Sequence, residues 1–372
     1  MAQAPDGGFL PRERLQQLFD VVREAGYRCL APVVRDGAIG FAESTSAEDL
    51  PVGMVDDQAP GSYRLSSGYG NRCFAWANGP QALKPLLFPP RETLWNARRD
   101  GAKLAYSGAV RQPSPMAVIG VRACDIAAAR LLERHFGAAE APGFAARRSA
   151  LLLVGVDCAE PAATCFCAAT GDGPGLDAGG RADYDLGLTE LDDGFLVRAA
   201  SPAGRALQGE LALEPPGAER LEQARRQVLE ARNAQQRRLP RARALRHLYA
   251  RLDHPRWEAL GERCLGCGNC TAVCPTCFCS AHETERSLDG VEASCVRQWD
   301  SCFSDGHSLL HGHPLRAQRA QRYRQWLTHK LAGWQDQFGR PGCVGCGRCI
   351  TWCPVGIDLT EEVPALLAES VE

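Results

Sequence analysis

The chain has 372 residues, more than one ordinary domain needs, and its 45% hydrophobic share is that of a globular protein with a substantial core. Its 42 basic and 44 acidic side chains leave a formal charge of −2, which argues against nucleic-acid binding driven by net charge. No apolar run nears the roughly 18 residues of a membrane helix. The first ten residues also lack a leader pattern, so a cytoplasmic chain with no membrane partner is expected.

The N-terminal half reads as α/β. Pro11 opens a helix with Leu15, Leu18, Phe19 and Val22 at helical spacing, ending at Gly26. Residues 30–34, the turn Asp36-Gly37 and residues 38–42 predict a hairpin. The apolar run 116–121 predicts a buried strand, followed by a helix over 126–132 with Asp125 as its N-cap. Residues 150–156 repeat the strand pattern, and 195–199 predict a later strand. Strands alternating with helices suggest a mixed or partly parallel sheet. From residue 217 to 256 the composition shifts to Arg, Glu, Gln and Leu. Leu221, Ala224, Val228 and Ala231 share one helix face, Pro240 interrupts, and Leu245, Leu248, Tyr249 and Leu252 begin another helix.

Eighteen cysteines are far above ordinary use, six before residue 260 and twelve after it. A disulfide framework suits small secreted domains, so metal or cluster ligation is the better reading here. The run C-x2-C-x2-C-x3-C-P occurs twice: Cys264, Cys267, Cys270, Cys274 with Pro275, and Cys343, Cys346, Cys349, Cys353 with Pro354. Three thiolates at this spacing wrap one corner of a cubane, and the fourth, before proline, reaches the other cluster. Cys264, Cys267, Cys270 and Cys353 are thus assigned to one [4Fe-4S] centre. Cys274, Cys343, Cys346 and Cys349 are assigned to a second. Zinc is the alternative, but zinc modules use separated C-x2-C pairs.

Between the two runs, residues 315–334 read as a helix with Arg316, Arg319, Arg322, Arg324 and Lys330 and no acid. It can offset anionic clusters, face an acidic partner, or present a solvated face. The expected architecture is an α/β domain over 1–215, a helical linker over 216–258, and a two-cluster ferredoxin-like α+β domain over 259–372. That last domain carries a helical insertion over 280–340.

Ten cysteines remain. Cys29, Cys73 and Cys295 read as packing residues. Cys124 and Cys158 each follow a predicted strand, and Cys165 and Cys167 lie in the same loop as Cys158. Loops after neighbouring parallel strands share one end of a sheet, so these four thiols can converge on a third [4Fe-4S] site; buried or redox-active thiols are the alternative. The TCFC quartet at 164–167 recurs at 276–279. Cys277, Cys279 and Cys302 form a further site or line an access route for a sulfur substrate. No G-x-G-x-x-G fingerprint and no G-x4-G-K-[ST] loop is found, so no flavin or nicotinamide site is recognised in this chain.

The segments YRQWLTHKLAGWQDQF (323–338) and GCVGCGRCITWCPVGID (342–358) resemble the beta subunit of cytosolic sulfhydrogenases, which are NADP-linked [NiFe] hydrogenases. The likeness extends through CLGCGNCTAVCPTCFC, RQWDSCFS, GVRACD (120–125) and DCAEPAATCFC (157–167). The chain is more distantly similar to anaerobic sulfite reductase, in the component of that enzyme that shares the same two halves. The resemblance implies an electron carrier between an FAD- and NAD(P)-binding gamma flavoprotein and the [NiFe] small and large subunits, with sulfur or polysulfide reduction credited to the beta and gamma pair. A catalytic or electron-input subunit of a sulfite or sulfur reductase is the competing expectation.

Overall fold

The buried strands of the N-terminal half alternate their side chains between two apolar layers. A computed structural model describes residues 7–68, 70–108, 112–137 and 141–368. Its main sheet has seven strands: β1 (Gly7–Pro11), β2 (Arg28–Arg35), β3 (Ala38–Glu43), β4 (Met116–Arg122), β5 (Leu151–Val156), β6 (Leu186–Glu190) and β7 (Gly194–Ala199). They lie in the order β1-β7-β6-β5-β4-β2-β3. The four central strands β2, β4, β5 and β6 run parallel, and the outer pairings are antiparallel. Ala117, Ile119, Leu152 and Val154 face the layer that holds Leu18 and Phe19. Val118, Leu151 and Leu153 face the opposite layer with Leu132 and Phe144. Continuous apolar runs in β4 and β5 follow from burial on both faces.

The 28–43 hairpin forms as expected, with Asp36 and Gly37 both at positive φ (50° and 73°) in its two-residue turn. The first helix differs at its start. Pro11 ends strand β1, a short 3-10 turn follows, and the helix proper is Gln16–Glu24. β1 exists because it pairs with β7, nearly two hundred residues away, a contact local periodicity does not reveal. Asp125 is not an N-cap. The helix is Ala123–Phe136, so Asp125 sits in its first turn, where its carboxylate accepts from Arg348 at 2.8 and 2.9 Å.

The segment after 216 divides between two cores. Helix Ala218–Ala234 lays Leu221 and Ala224 on Phe9 and Leu196, whereas Leu245 and Leu248 pack with Trp257, Trp326 and Leu331 of the C-terminal core. The expected helical insertion begins as a β-hairpin. Ser280–Arg286 and Glu292–Trp299 pair with each other, and the second strand pairs with Arg91–Asp100 of the N-terminal half, followed by Lys103–Gly108. Glu92 ties this sheet down by accepting from Arg147 (2.6 Å) and Arg297. Only then come helix Arg319–Thr328, a π-helical turn at His329–Gly333 and helix Trp334–Phe338. Among the described residues no helix is long and apolar enough to cross a membrane.

Leu188 has no exposed surface in the two-sided sheet, whereas Leu104 lies on an edge strand and is more than half exposed. Leu188→Ala is expected to lower unfolding free energy by about 2–5 kcal/mol and Leu104→Ala by less than about 0.5 kcal/mol, read by anaerobic denaturation.

Candidate functional site

Both cysteine runs fold into the same local shape. A loop with two left-handed glycines leads into a one-turn helix, which ends before the cysteine-proline pair. The glycines are Gly266 and Gly268 before Asn269–Ala272, and Gly345 and Gly347 before Arg348–Thr351. This turn aims backbone N–H groups at sulfur: Gly266 N donates to Cys264 Sγ (3.3 Å), Gly345 N to Cys343 Sγ and Ile357 N to Cys353 Sγ (both 3.4 Å). At Gly347 an added Cβ would lie 2.5 Å from the carbonyl oxygen of Thr164, and at Gly345 it would lie 2.6 Å from the backbone of Phe166 and Cys167. Glycine is required there by close approach as well as by φ.

Two adjacent cavities result. One is walled by the thiols of Cys264, Cys267, Cys270 and Cys353 with Tyr323 and Trp326. The other is walled by Cys274, Cys343, Cys346 and Cys349 with Phe166 and Lys330. The first takes three cysteines from the first run and Cys349 and Cys353 from the second; the other takes three from the second run and Cys274 from the first. Cys349 and Trp326 border both. Cys267 is exposed, whereas the second cavity lies deeper. Among the described residues no three His, Cys, Asp or Glu side chains close into a single-ion site. The thiols surround voids instead, which suits a polynuclear group with one thiolate per corner.

Cys124, Cys158, Cys165 and Cys167 are all buried; Cys167 lies within electrostatic reach of the other three, and Cys124, Cys165 and Cys167 lie within reach of Cys346. Strands β4 and β5 deliver Cys124 and Cys158 from their carboxyl ends, and the loop brings the 165–167 pair. Phe166 N donates to Gly345 O at 2.8 Å, and Asn78 Nδ2 donates to Cys346 O at 3.0 Å, so this group sits directly on the second run. Gln235 Nε2 lies 3.4 Å from Cys167 Sγ. Burial pushes all four thiols up, Cys167 to about 12.

Positive charge meets these sulfurs inside the protein. The Lys330 ammonium donates to Thr276 Oγ1 (2.9 Å), whose hydroxyl lies 3.3 Å from Cys274 Sγ. Burial alone would lower Lys330, but Cys274, Cys277 and Cys343 outweigh it and hold the ammonium above its ordinary value. Lys84, from the N-terminal half, donates to the carbonyl oxygens of Thr271 and Ala272 and lies 3.8 Å over the Trp299 ring. Burial pulls it down while Cys277, Cys274 and Cys279 oppose. Neither lysine has a carboxylate partner among the described residues. Of the basic stretch 315–334, Lys330 is buried among the cysteines and Arg319 lies against Gly266, acting on Cys264. Lys84 carries no sequence signal, because it stands alone among prolines and leucines far from either run.

The remaining thiols separate. Cys277 acts electrostatically on Cys274, and Cys302 on Cys279. Cys302, with His307 and Lys330, lowers Cys279 to about 6, against burial and Asp300. Cys295 sits on the hairpin opposite Thr284 and Trp95, and Cys29 and Cys73 lie in the core of the main sheet.

The thiol arrangement of the C-terminal half has a counterpart in a known family: residues 263–357 match the family described as 4Fe-4S dicluster domain. The zinc alternative falls with that match. Over nearly its whole length the chain is similar to the sulfhydrogenase 2 subunit beta of Pyrococcus furiosus, at 26% identity over 353 residues, 94% of this chain and 95% of that protein. No solved structure matches the chain.

Two outcomes are expected. Gly347→Ala should cost several kcal/mol more than Gly312→Ala, since both positions have positive φ (76° and 81°) but only Gly347 has backbone in the way. Paired denaturation curves measure this. Alkylation of Cys279 should rise through a midpoint near pH 6 as its thiolate forms, well below an ordinary thiol near ~8.5. The sign follows from a lowered value: the thiolate and its stabilising contacts are present above that pH and lost below it. Peptide-resolved iodoacetamide rates read it directly.

Proposed function

We propose that this chain is the electron-transfer subunit of a cytoplasmic NAD(P)-linked [NiFe] hydrogenase complex of the sulfhydrogenase kind. It passes electrons between an FAD- and NAD(P)-binding flavoprotein and the hydrogenase small and large subunits, and sulfur or polysulfide reduction accompanies that role. The observation that carries it is the pair of touching cavities, lined by the eight run cysteines with each run contributing to both, in a chain similar throughout to a sulfhydrogenase beta subunit.

In this reading Cys264, Cys267, Cys270 and Cys353 hold one [4Fe-4S] centre, and Cys274, Cys343, Cys346 and Cys349 hold the second. Cys124, Cys158, Cys165 and Cys167 hold a third. Such a centre supplies one-electron exchange between its 2+ and 1+ states, at a potential set by hydrogen bonds, charge and solvent. The chain's own residues supply those settings. The amides of Gly266, Gly345 and Ile357 donate to ligand sulfur and ease reduction, Tyr323 and Trp326 exclude water from the first cavity, and Lys330 opposes negative charge at the second. No proton donor or nucleophile is required for electron relay.

Anaerobically purified chain is expected to bind roughly twelve iron atoms, four per centre. Cys353→Ser and Cys124→Ser should each remove about four and delete one signal from dithionite-reduced EPR spectra. In the assembled complex, Cys353→Ser should abolish hydrogen-dependent NADP reduction. A chain with no iron, or iron unchanged in Cys353→Ser, overturns the reading. Eight irons that survive Cys124→Ser remove the third centre alone.

A further inference from the structure

A cavity of about 500 Å³ in the N-terminal half takes no part in the relay. Its floor is Asp157, just past β5, with Thr189 of β6 and Arg198 of β7. Crevices outside the carboxyl ends of parallel strands are where open α/β sheets take ligands. Helix Ala218–Ala234 roofs it: Leu221, Arg225, Val228 and Arg232 fall at helical spacing on the face that lines the cavity. The helix is anchored at both ends. Leu221 and Ala224 lie on Phe9 and Leu196, and past its last turn Gln235 Oε1 accepts from Ala168 N at 3.0 Å. One side wall is the strip Gly173-Pro174-Gly175, a single layer of backbone in front of the N-terminal thiol group. A Cβ added at Gly173 would lie 2.8 Å from Cys167 Sγ, and Cys158 N donates to Pro174 O at 3.1 Å.

The polar floor is already satisfied. Asp157 accepts from Leu176 N (2.7 Å), Thr189 Oγ1 (2.5 Å) and both terminal nitrogens of Arg198 (3.1 and 3.2 Å), and Arg198 Nε donates to Tyr184 Oη at 3.0 Å. The groups left over are all donors. Among the described residues the N–H groups of Gly173 and Gly175 and the guanidinium of Arg232 have no hydrogen-bond partner. The Arg225 guanidinium meets only Glu222, at 3.8 Å with both side chains mostly exposed, a pair that holds it weakly. Three arginines against two aspartates leave the lining one positive charge in excess, beside apolar walls from Leu196, Leu221, Val228 and Pro174. We propose that this cavity binds a small organic anion: an apolar ring or chain lies under the helix, and its phosphate or carboxylate head is held by Arg225 and Arg232. The volume lies within the ~300–1,000 Å³ of pockets that enclose small molecules, and charge-assisted bonds from arginine suit either head. Occupancy fixes the strip 173–175 and the helix end whose Gln235 lies 3.4 Å from Cys167 Sγ, so the ligand acts on the backing of the N-terminal thiol group. The site needs no iron–sulfur centre in the chain and is independent of the relay reading.

The test is anaerobic calorimetric titration of the full-length chain. One arm uses adenosine monophosphate, a ring with a phosphate, and a second uses octanoate, a chain with a carboxylate; inorganic phosphate supplies a head alone. Saturable one-to-one binding of at least one organic anion, tighter than that of phosphate, is expected, and the arm that binds assigns the body as ring or chain. Arg232→Ala should weaken binding about tenfold, the loss of one charged hydrogen bond. Arg226→Ala, which removes the same charge from the same helix outside the cavity, should leave Kd unchanged. Val228→Trp fills the space without changing charge and should abolish binding, which keeps the test open if the arginine variant folds poorly. Hydrogen exchange of the bound chain should slow over residues 172–178 and 221–235. The site is overturned if neither organic anion binds or if phosphate alone binds as tightly. It is also overturned if Arg226→Ala weakens binding as much as Arg232→Ala, or if protection appears outside these segments. The relay reading fails on iron content instead, so each can fail alone.

Discussion

Sulfur buried as thiolate needs positive charge nearby, and most of this structure can be derived from that constraint. Taking a charge out of water costs several kcal/mol even after relaxation, and an opposite charge about 4 Å away returns a similar sum at a moderate effective dielectric. Lys84, Lys330, Arg122 and Arg348 are all buried beside cysteines. Two of them, Lys84 and Lys330, hold only carbonyl or hydroxyl oxygens, and Arg122 likewise bonds the carbonyls of Phe74, Trp76 and Ala77. Two lysines buried without an ion-paired carboxylate among the described residues would be a heavy burden on a protein whose thiols stayed neutral. Opposite anionic sulfur centres, the same cations become the compensation.

The cations come from distant parts of the chain, which explains why the two halves interlock. Lys84 and Arg122 belong to the N-terminal half, Lys330 and Arg348 to the C-terminal one. The hairpin at 280–299 adds its second strand to Arg91–Asp100, Gly61 N donates to Ile350 O, and Thr351 donates to Gln58 Oε1. The tightest joint is electrostatic. Arg348, fully buried between two cysteines of the second run, forks onto Asp125, next to Cys124. Arg348 is held above its ordinary value because Asp125 and Cys346 outweigh burial. Removing either partner would strand the other charge in the interior, which is far costlier than losing a surface pair.

How much of this can be read from sequence depends on how local each cause is. Thiolate spacing, glycines at positive φ and the following proline act within a dozen residues, so the cysteine runs are legible from their letters. The convergence of Cys124, Cys158, Cys165 and Cys167 is legible one level up, because loops after adjacent parallel strands open at the same sheet end. Asp125 misleads because a carboxylate just before an apolar run has the local pattern of an N-cap. Its actual partner is 223 positions away and no local rule weighs it. The hairpin of the insertion misleads for the same reason: Ser280–Arg286 is polar and largely exposed, and its companion strand is completed by a strand from the other half. Lys84 is invisible in sequence, since its role comes wholly from tertiary placement.

The positions of the thiol groups also constrain the direction in which electrons could travel under the proposed assignment. The N-terminal group touches the second run through Cys346, and the second cavity touches the first through Cys349 and Trp326. Among the cluster-run cysteines Cys267 is the exposed one, beside an exposed Leu265, while Cys270, Cys343, Cys349 and Cys353 are half-buried. The N-terminal group is enclosed by the parallel sheet, Gln235 and the second run. A relay built this way is most open at the first cavity and closed at the N-terminal group, and its potentials are set by different means at each station: amide donors and exposure at the first cavity, Lys330 at the second, and Arg348 with Asp125 between the second and third. Substituting one of these cations would therefore shift its own station most, which makes Arg348 and Lys330 separable handles on neighbouring centres.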